Sequence, residues 1–399
     1  MARFAINRRR VADPDWSAPE LAWTGAVAAR EQMPLHRSLS GYAATPLREL
    51  PRLAADLGLG RILVKDEAGR FGIDAFKGLG AGYAVYSVLR ARWRDLTGED
   101  LAPDAFADPA VRARLGDVTF CAATDGNHGR AVAWTAGRLG QRAVIFMPDD
   151  TAAARIASIE REGAEVRLVP GTFDHCVSEC ADTAAREGWQ VIADTAYPGY
   201  MDIPGYIMTG YSTILAEVVD ALDDAGERAP DAVFLPAGVG GLAAAGACAL
   251  VQRYGADRPR LVCVEPDSSA CFLESVLHDT GEPVAATGDQ RSIMVGLCCG
   301  MPSLLAWPVV RDAMDVFVGI DDEPARQAMR LYWREGVTAG ESGASTLAGL
   351  LALLARDDLA PARAHLGLGP DSTVLVINTE GATDPAHWAE VTGGGKGAS

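Results

Sequence analysis

The chain has 399 residues and a formal net charge of −17 at pH 7. This length is enough for two domains, because a single hydrophobic core stops growing at about 250–300 residues. The acidic balance and the lack of a long Lys/Arg block argue against nucleic acid and anionic membranes as partners, since phosphate groups attract clustered positive charge. No segment has the ~18 apolar residues of a spanning helix, and the basic N-terminus lacks the apolar stretch of a signal peptide. We therefore expect a cytoplasmic protein that binds a small molecule.

Short β-rich apolar runs alternate with Ala- and Leu-rich segments of helical period from residue 60 onward. Eight runs are predicted to be strands: RILVKD, DVTFCAA, RAVIFMP, AEVRLVP, WQVIAD, DAVFLPA, RLVCVEP and TVLVIN. The alternation predicts βαβ units with parallel sheets, and continuously apolar strands indicate that helices cover both faces. The predicted fold class is α/β. The βαβ series between Asp117 and Ala193 indicates a small domain, set at residues 74–204, and residues 1–73 and 205–399 then form a large cofactor domain.

One lysine stands in the apolar stretch GIDAFKGLGAGYAV, which is predicted to begin a helix. Phe76 offers a flat face beside Lys77, and glycines 78, 80 and 82 permit close approach of a backbone or a flat ligand. The helical part of the stretch contains no second charged residue that could pair with Lys77. A desolvated, unpaired lysine has a depressed pKa and acts as an amine nucleophile. The alternative is that the ammonium simply reaches solvent along its own stem.

The loops after strands matter most, because ligands of open parallel sheets bind beyond the carboxyl ends of the strands. After DAVFLPA comes GVGGLAAAGACALV, a glycine loop that leads into a helix of small residues. Backbone amides at such a helix N-terminus form a phosphate site. Two alternatives remain: a tight turn only, or a dinucleotide fingerprint made by Gly238, Gly240 and Ala243 with Glu265 as the acid that binds ribose.

Two further loops carry polar side chains. In TDGNHGRAVAW, glycines 126 and 129 permit a turn whose amides face a carboxylate, Asn127 supplies a donor and an acceptor, and Asp125 adds a negative charge. In INTEGATD, Thr379 provides a hydroxyl that can meet a ring nitrogen. In each loop the simpler interpretation is a turn or a helix cap.

The eight cysteines show no CxxC pair and do not indicate a disulfide framework. The cluster HCVSEC places His175, Cys176 and Cys180 at helical spacing, which is compatible with metal ligands. Packing is the more common reason for two thiols and a histidine on one helix. We therefore predict no metal site.

These motifs together resemble the fold-type II pyridoxal-phosphate enzymes, which include threonine dehydratase and the tryptophan synthase β subunit. The resemblance covers about residues 40 to 390 and is specific in KDEAGRFGIDAFKGLGAGYAV, ATDGNHGRAVAW, DTAYPGYMDIPGYIMTGY and NTEGATDP. Within the family, the motifs are most similar to the diaminopropionate ammonia-lyases. The chain departs from the wider family in GVGGL, which often has four consecutive glycines, and in Ile73-Asp74-Ala75, which replaces Gly-Ser. It departs from the subgroup at Thr209, where a glutamine is expected.

The resemblance implies two domains, each with a mainly parallel sheet flanked by helices, and pyridoxal 5′-phosphate as cofactor. It implies that Lys77 forms the Schiff base and acts as general base, and that Asp125 and Asp194 lie at the substrate. Asn127 would bind the 3′-oxygen of the ring, the 238–242 loop the phosphate, and Thr379 the pyridine nitrogen. The residues expected to contact the cofactor are Phe76, Lys77, Asn127, Gly238, Val239, Gly240, Gly241, Leu242 and Thr379.

The reaction that the resemblance implies is α,β-elimination of 2,3-diaminopropionate, an amino acid, to pyruvate and two ammonia. A carboxylate such as Asp125 suits a substrate with a β-ammonium group, or serves as a second base on the other face of Cα. The nearest alternative is a serine or threonine dehydratase-like or other β-elimination or β-replacement enzyme. A nicotinamide-dependent oxidoreductase and a catalytically silent amino-acid-binding module are the alternatives from other classes. The family also implies a homodimer.

Overall fold

The computed structural model describes residues 3–124 and 126–394. Within them, eleven strands form two sheets flanked by helices, so the predicted α/β class is confirmed. The strands are β1 (Phe4–Ile6), β2 (Leu47–Glu49), β3 (Arg61–Asp66), β4 (Thr119–Ala123), β5 (Arg142–Pro148), β6 (Glu165–Val169), β7 (Gln190–Val191), β8 (Ala232–Pro236), β9 (Arg260–Pro266), β10 (Val316–Ile320) and β11 (Thr373–Asn378).

The large sheet has seven strands in the order β1-β10-β9-β8-β11-β3-β2. Its five central strands are parallel, and the short edge strands β1 and β2 pair antiparallel with β10 and β3. The small sheet has four parallel strands in the order β6-β5-β4-β7. Each of the eight predicted runs contains one of these strands. The sequence interpretation missed β1, β2 and β10.

The helices lie on the faces of both sheets. They are α1 (Trp23–Ala28), α2 (Met33–Ser38), α3 (Pro51–Leu57), α4 (Lys77–Thr97), α5 (Pro109–Leu115), α6 (Asn127–Arg138), α7 (Ala153–Glu160), α8 (Phe173–Glu187), α9 (Asp202–Tyr211), α10 (Thr213–Ala225), α11 (Gly241–Tyr254), α12 (Cys271–His278), α13 (Ala306–Ala313), α14 (Asp322–Arg334), α15 (Ser345–Ala355), α16 (Ala360–Leu366) and α17 (Pro385–Thr392).

Both faces of the central strands are buried, as their continuously apolar sequences predict. In β3, Leu63 belongs to a core that also includes residues of α4, α6, α9 and α11, whereas Ile62 and Val64 face a second core with α15. In β5, Ile145 joins the first core and Val144 a third one beneath α8. The first core therefore extends across the inner faces of both sheets and joins them.

The strands of the small sheet lie between Thr119 and Val191, inside the span predicted for the small domain. The limits at 73/74 and 204/205 stay a prediction, and the second of them falls inside α9, which packs closely against α4. A membrane-crossing helix, which requires a long apolar stretch, is absent from residues 3–124 and 126–394. The cytoplasmic location stays a prediction.

Candidate active site

The turn before Lys77 has an unusual backbone. Phe71, Gly72 and Asp74 have φ values of 54°, 73° and 57°, in the left-handed region that bulky residues rarely adopt. Arg130 of α6 donates hydrogen bonds to the carbonyl of Ile73 at 3.1 Å, to the carbonyl of Gly72 at 3.4 Å and to the Asp74 carboxylate at 3.1 Å. Strained backbone persists where its surroundings hold it, and it is common at functional sites. Arg130 holds this turn.

Backbone hydrogen bonds attach the same segment to the end of β11. The amide of Phe76 donates to the carbonyl of Thr379 at 3.2 Å, and the amide of Gly381 donates to the carbonyl of Asp74 at 2.9 Å. Helix α4 then begins at Lys77, as predicted. These bonds bring the lysine next to Thr379, which is 3% exposed and lies more than 300 positions later in the sequence.

Gly80, the second glycine after Lys77, allows close packing of a neighbouring helix. A Cβ at Gly80 would lie 2.4 Å from the Tyr211 ring, and a Cβ at Gly210 would lie 2.4 Å from the Leu79 carbonyl oxygen. Helices α4 and α9 thus meet backbone to backbone. Phe76 packs against Tyr211 with ring centroids 4.7 Å apart, and the Nζ atom of Lys77 lies 5.4 Å from the Phe76 centroid.

Lys77 is paired, which corrects the expectation of an unpaired lysine with a depressed pKa. Its Nζ atom donates to Oδ2 of Asp194 at 2.7 Å, and both side chains are largely buried. Burial lowers the pKa of Lys77, but the Asp194 carboxylate, with Tyr211, outweighs burial and shifts the pKa above its usual value. Burial would raise the pKa of Asp194, yet Lys77 and then His128 hold it below its usual range. The sequence around Lys77 contained no sign of this partner.

His128 completes the group around Asp194. Its Nε2 atom bonds the carbonyl of Ile192 at 2.7 Å, and its Nδ1 atom lies 4.0 Å from Oδ2 of Asp194. Burial lowers the pKa of His128 from its usual 6.5. The motifs do not predict His128 as a site residue, although it stands in DGNHG between Asn127 and Gly129.

The predicted phosphate loop lies at the start of α11. The helix begins at Gly241, and its first amides have no partners inside the helix. Gly240 has φ +92°, and a Cβ there would lie 2.2 Å from the Phe272 ring. Substitution of Gly240 would therefore disturb packing as well as any bound phosphate, so it is a poor test of the loop. Val239 is half-buried and Leu242 is buried.

Ser303 connects the glycine loop to Asp194. The amide of Ser303 donates to the carbonyl of Val239 at 3.0 Å, and its hydroxyl accepts from the amide of Ala196 at 2.9 Å. A Cβ at Gly238 would lie 3.0 Å from Sγ of Cys299. The loop, the lysine and the aspartate therefore surround one space at the carboxyl ends of both sheets.

Asn127 and Glu380 connect the two sheets on the other side of the site. Asn127 is the first residue of α6, and its Nδ2 atom donates to Oε2 of Glu380 at 2.5 Å. The other Glu380 oxygen accepts from the amide of Ser342 at 3.0 Å. Burial, then the neighbouring Glu341, raise the pKa of Glu380. Asn127 keeps a second N–H and its carbonyl oxygen for a ligand.

The structure does not support Glu265 as a ribose ligand. Glu265 is fully buried and accepts hydrogen bonds from the amides of Phe272 and Leu273 at 2.8 and 2.9 Å, so it caps α12. Burial raises its pKa to about 8. A buried carboxyl group bonded in this way is not free to bind a ribose, so the dinucleotide interpretation lacks the acidic residue that it requires.

Four other residues that the sequence singles out lie apart from the site, and one lies outside the described residues. Nδ1 of His175 bonds the carbonyl of Pro170 at 2.8 Å, and Cys176 and Cys180 are buried in the core beneath α8. Thr209 is buried, and its hydroxyl donates to the carbonyl of Gly205 inside α9 at 2.9 Å. Asp125 lies outside the described residues.

The comparison with known protein families agrees with this geometry. The family described as "Pyridoxal-phosphate dependent enzyme" matches residues 39–380. The chain belongs to the pyridoxal-phosphate dependent enzymes. Its cofactor is pyridoxal 5′-phosphate, as the motifs predicted, and the chain is an enzyme.

The relatives of this pyridoxal-phosphate dependent enzyme are similar over nearly its whole length. The diaminopropionate ammonia-lyase of Salmonella typhimurium (strain LT2) is 36% identical over 405 residues, which cover 100% of this chain and 99% of the relative. The crystal structure of holo diaminopropionate ammonia-lyase from Escherichia coli has a TM-score of 0.88 at 36% identity and covers 98% of this chain and 96% of that one. The same lyase in complex with an aminoacrylate-PLP azomethine reaction intermediate has a TM-score of 0.85 at 34% identity, with 98% and 97% covered. The chain is thus a pyridoxal-phosphate-dependent lyase.

The residues at the site fit this cofactor. The Tyr211 hydroxyl and Nδ1 of His128 are buried beside Lys77 and Asp194, and neither has a hydrogen-bond partner among the described residues. Buried polar atoms are usually paired, so these two atoms beside Lys77 are open to hydrogen bonds from a polar ligand. The sequence contains three lysines, Lys65, Lys77 and Lys396. Lys65 is fully buried in a charged network, which leaves Lys77 as the described lysine that faces the site.

Proposed function

We propose that this enzyme catalyses α,β-elimination of 2,3-diaminopropionate to pyruvate and two ammonia. The observation that carries the proposal is the contact between Lys77 and Asp194, in a site that also has two unpartnered polar atoms. The full-length similarity to proteins named diaminopropionate ammonia-lyase supports it.

Lys77 would hold the cofactor covalently through its amine, and the amides of the 238–242 loop would hold its phosphate at the N-terminus of α11. Phe76, whose ring packs against Tyr211, would contact the cofactor next to Lys77. Thr379 would offer a neutral hydroxyl to the ring nitrogen, and Asn127 would bind the ring oxygen. When bound, pyridoxal phosphate withdraws electrons from the bond that breaks at Cα.

Asp194 would position Lys77 for the proton transfer. Lys77 is protonated in this arrangement, because its pKa is raised, and it becomes a nucleophile or base only after it has lost a proton. Oδ2 of Asp194 accepts its hydrogen bond at 2.7 Å. The raised pKa of Lys77 and the lowered pKa of Asp194 both favour the ion pair, so Asp194 orients the lysine nitrogen rather than taking its proton.

The carboxylates explain the choice of substrate. An amino acid with a β-ammonium group carries one more positive charge than serine or threonine, and Asp194 supplies a buried negative charge for it. We propose that Asp125 acts at the substrate as well. Thr209 is the position at which the chain departs from the subgroup. Its hydroxyl donates a hydrogen bond to the carbonyl of Gly205 within α9.

Pyruvate release from a panel of amino acids tests the function. We expect turnover of DL-2,3-diaminopropionate to exceed that of D-serine, L-serine and threonine by at least about tenfold, with two ammonia for each pyruvate. The control is the spectrum of the purified protein, which should show an absorbance band that borohydride abolishes. If serine or threonine is the better substrate by about tenfold, the enzyme is a dehydratase, and binding without pyruvate release would indicate a silent binding module.

We also propose a homodimer, which rests on the family alone. Sedimentation at micromolar concentration should give about twice the chain mass of 41.9 kDa. A monomer at that concentration would contradict the proposal.

A further inference from the structure

The side-chain amide of Asn127 is bonded at one N–H and open at the other. The chain has three asparagines, and the amide nitrogens of Asn7 and Asn378 each donate two hydrogen bonds. Nδ2 of Asn127 donates a single bond within the described residues, to Oε2 of Glu380 at 2.5 Å. The second N–H of Asn127 has no acceptor in the described chain, so it is available to a ligand.

The Glu380 carboxylate is held in place on its other side. Its Oε1 atom accepts from the amide of Ser342 at 3.0 Å, and a Cβ at Gly340 would lie 3.0 Å from the same oxygen. The side chain of Glu380 is 5% exposed. Burial and the neighbouring Glu341 raise its pKa, whereas the hydrogen bonds from Asn127 and Ser342 favour the ionised form. Oε2 therefore remains as a fixed acceptor that faces Asn127.

This acceptor decides how the Asn127 amide is turned. The two ends of a side-chain amide have nearly the same shape, so hydrogen bonds rather than packing choose between its two orientations. In the observed orientation an N–H meets the Glu380 carboxylate, which is a charge-assisted bond. In the reversed orientation the amide oxygen would face the carboxylate, and two acceptors repel each other. Glu380 therefore also fixes the direction of the second N–H.

We propose that Glu380 is a positioning residue, which holds Asn127 so that its second N–H faces the 3′-oxygen of the bound cofactor and keeps that oxygen anionic. The inference rests on the role given to Asn127 in the proposed function. An N–H donor stabilises the anionic form of a ring oxygen, whereas an amide carbonyl favours its protonated form. Glu380 acts through Asn127 and needs no contact with the cofactor.

The substitution Glu380→Gln tests the proposal without any substrate. The glutamine carbonyl can accept from the Ser342 amide, which belongs to the backbone, and its NH₂ group then requires an acceptor on the side of Asn127. The Asn127 amide can turn to provide that acceptor, which takes its N–H away from the ring oxygen. We expect pyridoxal phosphate to bind about tenfold more weakly, the scale of one hydrogen bond to a charged group. The long-wavelength absorbance band of the anionic ring oxygen should give way to the short-wavelength band of the protonated one.

Glu341→Gln is the matched control. Glu341 is a buried carboxylate beside Glu380, but it pairs with Nδ1 of His387 and not with Asn127. Removal of its charge should leave both the affinity for the cofactor and the absorbance spectrum unchanged. Equal changes in the two variants, or a native affinity and spectrum in Glu380→Gln, would overturn the proposal.

Asn127→Ala separates this inference from the role proposed for Asn127 itself. The variant has no side-chain N–H, so its affinity and spectrum should change at least as much as those of Glu380→Gln. A change in Asn127→Ala alone would mean that Asn127 contacts the cofactor and that Glu380 does not position it. No change in either variant would contradict both assignments. Neither comparison uses diaminopropionate, so failure of the proposed reaction would not affect the result.

NMR of the native enzyme with ¹⁵N-labelled asparagine decides the matter if Glu380→Gln does not fold. The three asparagines give three side-chain amide signals, and Asn127→Ala identifies one of them. In the apoenzyme, we expect one Asn127 proton to be protected from exchange by its bond to Glu380, and pyridoxal phosphate should shift the other proton. Asn7 and Asn378 are internal references, because their N–H groups are already bonded. Two unprotected Asn127 protons in the apoenzyme, or no shift on cofactor binding, would contradict the positioning role.

Discussion

Lys65 and Lys77 lie close together in the sequence, and each is buried and paired with a carboxylate from a distant segment, but their surroundings differ. Lys65 is 1% exposed and donates to the carbonyl of Thr45 at 2.7 Å and to Glu217 at 2.5 Å. Arg70 donates twice to Glu67 and twice to Glu217. Two positive and two negative side chains thus form a neutral network, and none of these four has an unpartnered buried atom in the described chain.

The group around Lys77 is incomplete by comparison. Asp194 pairs with Lys77, but Nδ1 of His128 and the hydroxyl of Tyr211 are buried without hydrogen bonds in the described residues. A network in which every polar atom is bonded fixes a structure, whereas a partly satisfied one is unfavourable unless something else binds there. The difference between the two lysines is therefore not buried charge as such, but the unsatisfied polar atoms that lie beside Lys77 and not beside Lys65.

The largest effect on turnover should come from removing Lys77, with removal of Lys65 as the comparison. Lys77→Ala should abolish pyruvate release and keep the fold, because its side chain is partly exposed to the site and makes one hydrogen bond. Lys65→Met, the matched control, should unfold at lower denaturant concentration while its folded fraction keeps turnover. Residual turnover in Lys77→Ala at the level of Lys65→Met would remove the distinction.

Breaking the Lys65 network should reduce stability and leave catalysis unaffected. Glu217→Gln leaves two buried cations with one carboxylate, and loss of one member of a buried pair costs about 3–5 kcal/mol. Urea unfolding measures this loss, and kcat of the folded fraction should not change. Asp223→Asn on the same helix removes an exposed partner of Arg253 and should have little effect. Equal shifts of the unfolding midpoint for the two variants would contradict the account.

Asp125→Asn should distinguish two roles for that carboxylate. If Asp125 is the second base, turnover of D-diaminopropionate should fall far more than turnover of the L-isomer. If it recognises the β-ammonium, both isomers should be affected about equally. Asparagine is itself a good helix cap, so unchanged kcat for both isomers would mean that Asp125 is only a cap.

Asp194→Asn should change the pH at which Lys77 reacts. Asp194 is the main group that raises the pKa of Lys77, and burial lowers it, so the pKa should fall when the carboxylate is removed. The fraction of cofactor trapped by borohydride should then reach half its maximum at lower pH than in the native enzyme. Asp74→Asn is the control, since Asp74 pairs with Arg130, and it should not move this midpoint. An unchanged midpoint in Asp194→Asn would show that the pair does not set the lysine's protonation.

Much of the fold could be predicted because parallel strands covered on both faces are continuously apolar. The edge strands β1 and β2 could not, since each has three residues and pairs only on one side. The strand β10, VFVGI, is not among the predicted strands, although its sequence is as apolar as theirs. Edge strands depend on tertiary pairing more than on their own pattern.

The site residues could be predicted from motifs, but their contacts could not. The motifs predict both Lys77 and Asp194 as site residues, but nothing in the sequence near either one indicates that they meet. The same holds for Arg130, which holds the turn before Lys77, and for Ser303, which connects the glycine loop to Ala196. Glu265 had the spacing of a ribose ligand, but the fold uses it to cap α12. Spacing indicates which residue types can act, and packing decides which of them are free to do so.

Borohydride reduction of the holoenzyme, followed by peptide mapping, tests the central claim most directly. The sequence has three lysines, so each possible attachment site lies in a separate peptide after cleavage. We expect the reduced cofactor on the peptide with Lys77, at close to one cofactor per chain. Label on Lys65 or Lys396, or a reduced protein with no labelled lysine, would contradict the account.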